Sequence, residues 1–130
     1  MIHHTGFVVR QLADARRFYE AISRPLGIKL LTISDQAFML MPADGTVPRL
    51  WIGTQQPSYW APGSRAGINQ VHVAFVAASS EVVNEFYRAG LAAGGQDHGK
   101  PGPRKGVSDY YGAFLLDPDG NNIEACAPPK

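Results

Sequence analysis

Residues 3–9 read His3-His4-Thr5-Gly6-Phe7-Val8-Val9, and residues 71–77 read Val71-His72-Val73-Ala74-Phe75-Val76-Ala77. Setting His4 on His72 gives an offset of 68 residues (72 − 4). Without a gap, the same offset puts Phe7 on Phe75, Val8 on Val76, Phe18-Tyr19 on Phe86-Tyr87, Ala21 on Ala89 and Gly27 on Gly95. Self-similarity at one fixed spacing is the mark of a duplicated supersecondary unit. The later parts align more loosely. Ala43-Asp44-Gly45 resembles Pro118-Asp119-Gly120, and Phe38 to Met41 resembles Ala113 to Leu116. After two extra residues in the first copy, Leu50-Trp51-Ile52 falls opposite Ile123-Glu124-Ala125.

Each copy reads as strand, helix, then strands. Ile2 to Val9 alternates and is rich in β-formers, which predicts a strand. Leu12, Ala15, Phe18, Tyr19 and Ile22 share one helical face, so Leu12 to Ser23 is a helix that Pro25 and Gly27 end. Leu30 to Ile33, Phe38 to Met41 and Arg49 to Ile52 are short strands. In the second copy Gln70 to Val76 is a strand. A helix follows from Ser80 to Ala93, capped by Ser79 or Ser80 and stopped by Gly94-Gly95. Tyr110 to Leu116 and Asn121 to Cys126 are strands joined by a tight Asp117-Pro118-Asp119-Gly120 turn. A lone βαβββ unit cannot bury its curved sheet, so the two are expected to pair. The expected fold is α+β: two tandem βαβββ modules forming a curved, cup-like mixed sheet with helices outside. The expected organisation is a single domain over 1–130, with module one at 1–53, a linker at 54–69 and module two at 70–127.

The bulk chemistry removes several function classes. The 12 Lys and Arg balance 11 Asp and Glu, which disfavours a nucleic-acid or anionic-membrane partner. No stretch approaches the roughly 18 apolar residues of a membrane span. The opening MIHHTGFVVRQ lacks the basic and apolar regions of a signal peptide, and a cytoplasmic location is expected. Cys126 is the only cysteine. It reads as a small strand-end residue, and no intrachain disulfide is available.

Strand alternation sorts the polar residues. The bulkier sets, Thr5-Phe7-Val9 and Val71-Val73-Phe75, should pack under the helices. His4 and His72 then face the cup beside small residues. Ile123 and Ala125 suit the helix side, which turns Glu124 to the cup. Two imidazoles and one carboxylate suit a divalent transition ion with open coordination positions. Arg49 and Trp51 share the same face, Arg49 as a receiver of an anionic group and Trp51 as an apolar wall. Bulk also sends Phe114 and Leu116 toward the helices. That leaves Tyr111 in the cup as a hydrogen-bond donor to substrate or a general acid. The segments 53–69 and 94–109, the latter with His98, Lys100, Arg104 and Lys105, are candidate lids.

The motifs HHTGFVV…RRFYEAISRPLG, HVAF and DPDGNNIEA resemble the vicinal oxygen chelate superfamily, which includes glyoxalases, bleomycin-resistance proteins and extradiol dioxygenases. The resemblance spans nearly the whole chain. It implies a small substrate bound through two neighbouring oxygens to a divalent metal ion (Fe, Mn, Zn, Ni or Co). His4, His72 and Glu124 match the family's metal-ligand positions, and Glu124 would also serve catalysis. Four-ligand members take a further ligand where this chain has Trp51. Because Trp cannot ligate, a three-ligand site is implied. Family members often form homodimers, with cups closed within one chain or shared between two. The resemblance equally covers metal-free bleomycin-resistance-like proteins that only bind a small molecule, for which Trp51, Tyr59, Trp60, Tyr110 and Tyr111 would be aromatic walls.

Overall fold

Phe18 and Tyr19, together with Phe86 at the position equivalent to Phe18 in the second half, have no solvent-accessible surface, and the structure is organised around them. The computed structural model describes residues 1–106 and 108–129. The order is β1 (His4–Val8), α1 (Leu12–Leu26), β2 (Ile28–Ser34), β3 (Ala37–Pro42), β4 (Arg49–Gly53), β5 (His72–Val76), α2 (Ser80–Ala92), β6 (Gln96–Arg104), β7 (Tyr110–Leu116) and β8 (Asn122–Ala127). The duplication read from the sequence is therefore present as two βαβββ units. Each builds a four-stranded mixed sheet, ordered β1-β4-β3-β2 in the first and β5-β8-β7-β6 in the second. β1 runs parallel to β4 and β5 runs parallel to β8; the other pairings are antiparallel. The strands that carry His4 and His72 are thus equivalent outer edges of their sheets.

Besides shifts of a few residues at several strand ends, two differences from expectation have local reasons. α1 continues through Pro25 to Leu26 before Gly27, at φ 65°, donates its N–H back to the carbonyl of Arg24. A proline in the last turn forfeits one hydrogen bond there, and the left-handed glycine then closes the helix. The segment expected as a loop at 94–109 contains the strand β6, paired with β7 through two register shifts. Pro101 and Pro103 disguise it in the sequence. They are tolerated because β6 is an edge strand, where a missing N–H interrupts no second ladder. α2 begins as expected, with Ser79 Oγ accepting from the N–H of Val82 at 3.4 Å.

The units meet helix to helix, with α1 packed on α2. Gly90 permits the approach: a Cβ there would lie 2.3 Å from Leu115 Cδ1 and 3.0 Å from Ile22 Cγ2. Gly90→Val is expected to lower stability by about 1–3 kcal/mol through overpacking, read as a lower midpoint in urea with an unchanged far-ultraviolet spectrum. The Asp117–Gly120 turn adds a polar lock between the units. Asp119 Oδ1 accepts from the backbone N–H of Arg10 (3.0 Å) and from its Nε (2.9 Å). Buried Asp117 accepts from Tyr19 Oη at 2.7 Å. No helix among the described residues is long and apolar enough to cross a membrane.

Candidate functional site

The conserved geometry of a β-sheet puts residues directly opposite one another on the same face, and the register of β7 and β8 builds the site. Glu124 lies opposite Phe114, and Gly112 opposite Cys126. Beside them in β5, Ala74 pairs with Glu124 and His72 with Asn122. Ala113, Leu115, Ile123 and Ala125 fill the other face and are fully buried under the helices. Glu124 is itself only 4% exposed, so its carboxylate depends on specific partners. Tyr110 Oη donates to Glu124 Oε1 at 2.8 Å. His72 Nε2 stands 3.4 Å from Glu124 Oε2. Gly112 makes room, because a Cβ there would sit 2.8 Å from Tyr110 Cε2 and 3.1 Å from Glu124 Oε1.

The tautomer of His72 follows from its other nitrogen. Nδ1 is 3.0 Å from the carbonyl oxygen of Asn122. That oxygen only accepts, so Nδ1 carries the proton. In the neutral ring Nε2 then turns a lone pair toward a carboxylate oxygen. Two acceptors facing each other need a proton or a cation between them. An imidazole oriented by a backbone carbonyl beside a carboxylate held by a phenol is the arrangement of metal ligands with outer partners. This donor set fits a divalent ion.

His4 does not join the pair. Its Nδ1 is 2.9 Å from Nδ1 of His3, and its side chain lines a separate cavity of about 440 Å³ with Trp51, Tyr59, Trp60 and Arg65. Among the described residues no group of three or more His, Cys, Asp or Glu side chains is placed to hold a metal ion. Within one chain, then, His72 and Glu124 come together and His4 stays apart.

The tyrosine assignment is corrected. Tyr111 lies on the helix side, where its hydroxyl donates to Asn84 Oδ1 of α2 at 3.0 Å, and Tyr110 is the residue at Glu124. The expectation failed because it sent bulky Phe114 to the core. Phe114 instead stacks on His72, with ring centroids 6.3 Å apart, and the guanidinium of Arg104 lies 5.2 Å above its ring. Phe114 was thus missed as a site residue, while Tyr110 had been read only as an aromatic wall and Arg104 only as part of a lid. The signal was available: five residues on either side of Asp119, the midpoint of the turn, are Phe114 and Glu124. Arg49 is on the strand face expected, but its guanidinium donates to the carbonyls of Gly45 (2.8 Å) and Thr46 (3.3 Å), and it braces its own turn. His98 is an exposed residue of β6.

Two weak acids beside Glu124, the Tyr110 phenol and the Cys126 thiol, keep their protons. The hydrogen bond to Glu124 pushes the Tyr110 phenol up to about 12, with burial adding to it. Burial, and then Glu124, push the Cys126 thiol up to about 12 as well. Cys126 is a thiol at neutral pH, not a thiolate nucleophile.

A family model for the glyoxalase/bleomycin resistance protein/dioxygenase superfamily matches residues 1–125. The chain belongs to this superfamily. It is similar to a glyoxalase/bleomycin resistance protein from Albidiferax ferrireducens, at 32% identity over 98% of each chain with a TM-score of 0.76. It is also similar in fold to a glyoxalase/bleomycin resistance protein/dioxygenase family enzyme from Burkholderia phytofirmans, at 16% identity over 96% of each chain with a TM-score of 0.68. An integron cassette protein from the mobile metagenome of V. cholerae shares the fold at 19% identity, over 98% of this chain and 94% of that one, with a TM-score of 0.69. No curated protein matches the chain.

Proposed function

We propose that the protein is a metal-dependent enzyme of this superfamily that works as a homodimer. In this reading His72 and Glu124 of one copy, with His4 of a second copy, hold a divalent ion. The observation that carries it is the facing pair of His72 Nε2 and Glu124 Oε2 at 3.4 Å, in which Nδ1 is already spent on Asn122. His4 sits at the equivalent place on the other edge strand, out of reach within its own chain. Both edges leave backbone groups open to pairing, and Val76 on β5 is 86% exposed. Two copies joined through these edges bring the halves of the site together, and a two-fold axis makes two such sites.

When bound, the ion would polarise two neighbouring oxygens of a small substrate and stabilise the anion that develops on them. The chain's own residues do the rest. Asn122 fixes the His72 ring. Tyr110 orients the Glu124 carboxylate and keeps its own proton well above neutral pH, so it presents a donor and not a charge. Phe114 backs the His72 ring and, with Arg104, walls the site. The one proton of Tyr110 is spent on Glu124, so Tyr110 acts as a positioning residue and does not take over the donor-to-substrate role that the sequence had offered to Tyr111. Glu124→Ala and His4→Ala are each expected to abolish bound Fe, Mn, Zn, Ni or Co in protein purified without a tag or chelator, measured by elemental analysis. Full metal content in either variant contradicts the reading. A second reading, a metal-free binding protein, is favoured by the aromatic cavity over His4. It predicts no metal in the wild type and no uptake when ions are returned.

A further inference from the structure

Trp51 does not stand up from its sheet. A Cβ on Gly53 would lie 2.5 Å from Cζ2 and from Cη2 of the indole, and one on Gly6 would lie 3.2 Å from Cε3. Gly6 pairs with Trp51 across the β1–β4 ladder, and Gly53 follows two residues on in β4. The benzo ring therefore runs along the strand surface over two positions without side chains. Glycine inside a strand costs stability and often marks close approach. Here the approach is that of the Trp51 indole, which lies along the strand and also lines the 440 Å³ cavity.

The connection between β4 and β5 forms the opposite wall. Its turns are closed by the N–H of Trp60 on the carbonyl of Pro57 (3.2 Å) and the N–H of Ser64 on that of Ala61 (3.1 Å). They bring Tyr59, Trp60 and Arg65 to the same cavity. Both tryptophans of the chain thus line one space. Arg65 is the cation of this lining without an ion pair among the described residues, and Asp119, the carboxylate that also lines the cavity, is paired with Arg10 outside it. The volume falls in the ordinary range for small-molecule sites. A half-exposed aromatic floor and an uncommitted guanidinium select a flat ring bearing a negative charge.

We propose that this cavity binds a planar aromatic acid, its ring stacked on the Trp51 indole and its anionic group at Arg65. The inference rests on the functional reading only in treating this as the substrate's side of the cup. Its test does not pass through the metal.

The test is calorimetric titration of chelator-stripped full chain with 2-naphthoate, against cyclohexanecarboxylate and the neutral 2-naphthalenemethanol. Saturable binding of 2-naphthoate is expected, about tenfold or more tighter than the non-aromatic acid. Trp51→Leu should remove that preference, and Trp60→Leu provides a second aromatic variant should the first fail to fold. Arg65→Gln should weaken 2-naphthoate by about tenfold and leave the neutral alcohol unchanged. Equal affinity for the two acids, no saturable binding, or undiminished binding by both tryptophan variants would overturn the proposal. Loss of the metal reading in elemental analysis would leave these titrations as they are.

Discussion

Replacing Asp117 by alanine is expected to remove about 3–5 kcal/mol of stability, more than any other single polar change in the chain. Asp117 is 3% exposed and accepts four hydrogen bonds. Oδ1 takes the N–H groups of Asp119 (2.9 Å) and Asn121 (2.8 Å), and Oδ2 takes Tyr19 Oη (2.7 Å) and Asn121 Nδ2 (2.8 Å). Alanine orphans all four donors in a place that water cannot readily serve. Asp117→Asn retains one acceptor oxygen but turns an amide donor toward other donors, and should cost about 1–3 kcal/mol. Urea midpoints measure both. A loss below about 1 kcal/mol for the alanine variant would mean that the turn is not the lock between the units.

The same contact sets a pH dependence. Burial, and then the Asp117 charge, hold the Tyr19 phenol well above its usual value of 10.0. The unfolded chain releases that proton near pH 10 while the folded chain keeps it. Stability from this group is therefore complete below about pH 10 and declines as pH rises above it. Removing the Asp117 carboxylate should lessen that decline without abolishing it, because burial, the larger cause, remains.

The second large effect is at Glu124. Its carboxylate is buried, bonded by Tyr110 and faced by His72, so Glu124→Ala removes the anionic ligand outright. Bound metal is expected to fall to background. Glu124→Gln, which keeps the shape and the oxygen facing His72 or Tyr110 but not the charge, should lose most of it as well, because a neutral amide is a poor ligand for this class of ion. Tyr110→Phe leaves the ligands in place and frees the carboxylate to reorient. A loss of affinity of about tenfold or more is expected, in the range for outer partners of a metal site. Unchanged metal content in all three would place the ion elsewhere.

How much of this was legible in the sequence depended on which signal was local. The duplicated HHTGFVV and VHVAFVA stretches and the i, i+3, i+4 spacing of Ala15, Phe18, Tyr19 and Ile22 dictated the two units and α1, because burial of one face is written directly into periodicity. The placement of Glu124 on the cup face followed from apolar Ile123 and Ala125 beside it. Tyr110 and Tyr111 were misassigned because side-chain size stood in for register. Phe114 is large and yet faces the cup, since stacking on His72 occupies it. β6 escaped notice because Pro101 and Pro103 are breakers in a central strand but not on an edge. The flat seat of Trp51 on Gly6 and Gly53 needed the β1–β4 pairing, a contact across more than forty residues that no local pattern encodes.

The shared site is tested most directly by mixing two variants that are each defective. His4→Ala and Glu124→Ala are co-expressed, and the mixed dimer is isolated by two different affinity tags that are then cleaved off. In that dimer one cup combines His4 of the Glu124→Ala chain with the intact His72 and Glu124 of the other chain, and the second cup lacks both. No metal is expected in either parent dimer and about one ion per mixed dimer, half the wild-type content. No recovery in the mixed dimer, with metal present in the wild type, would contradict a site built from two copies.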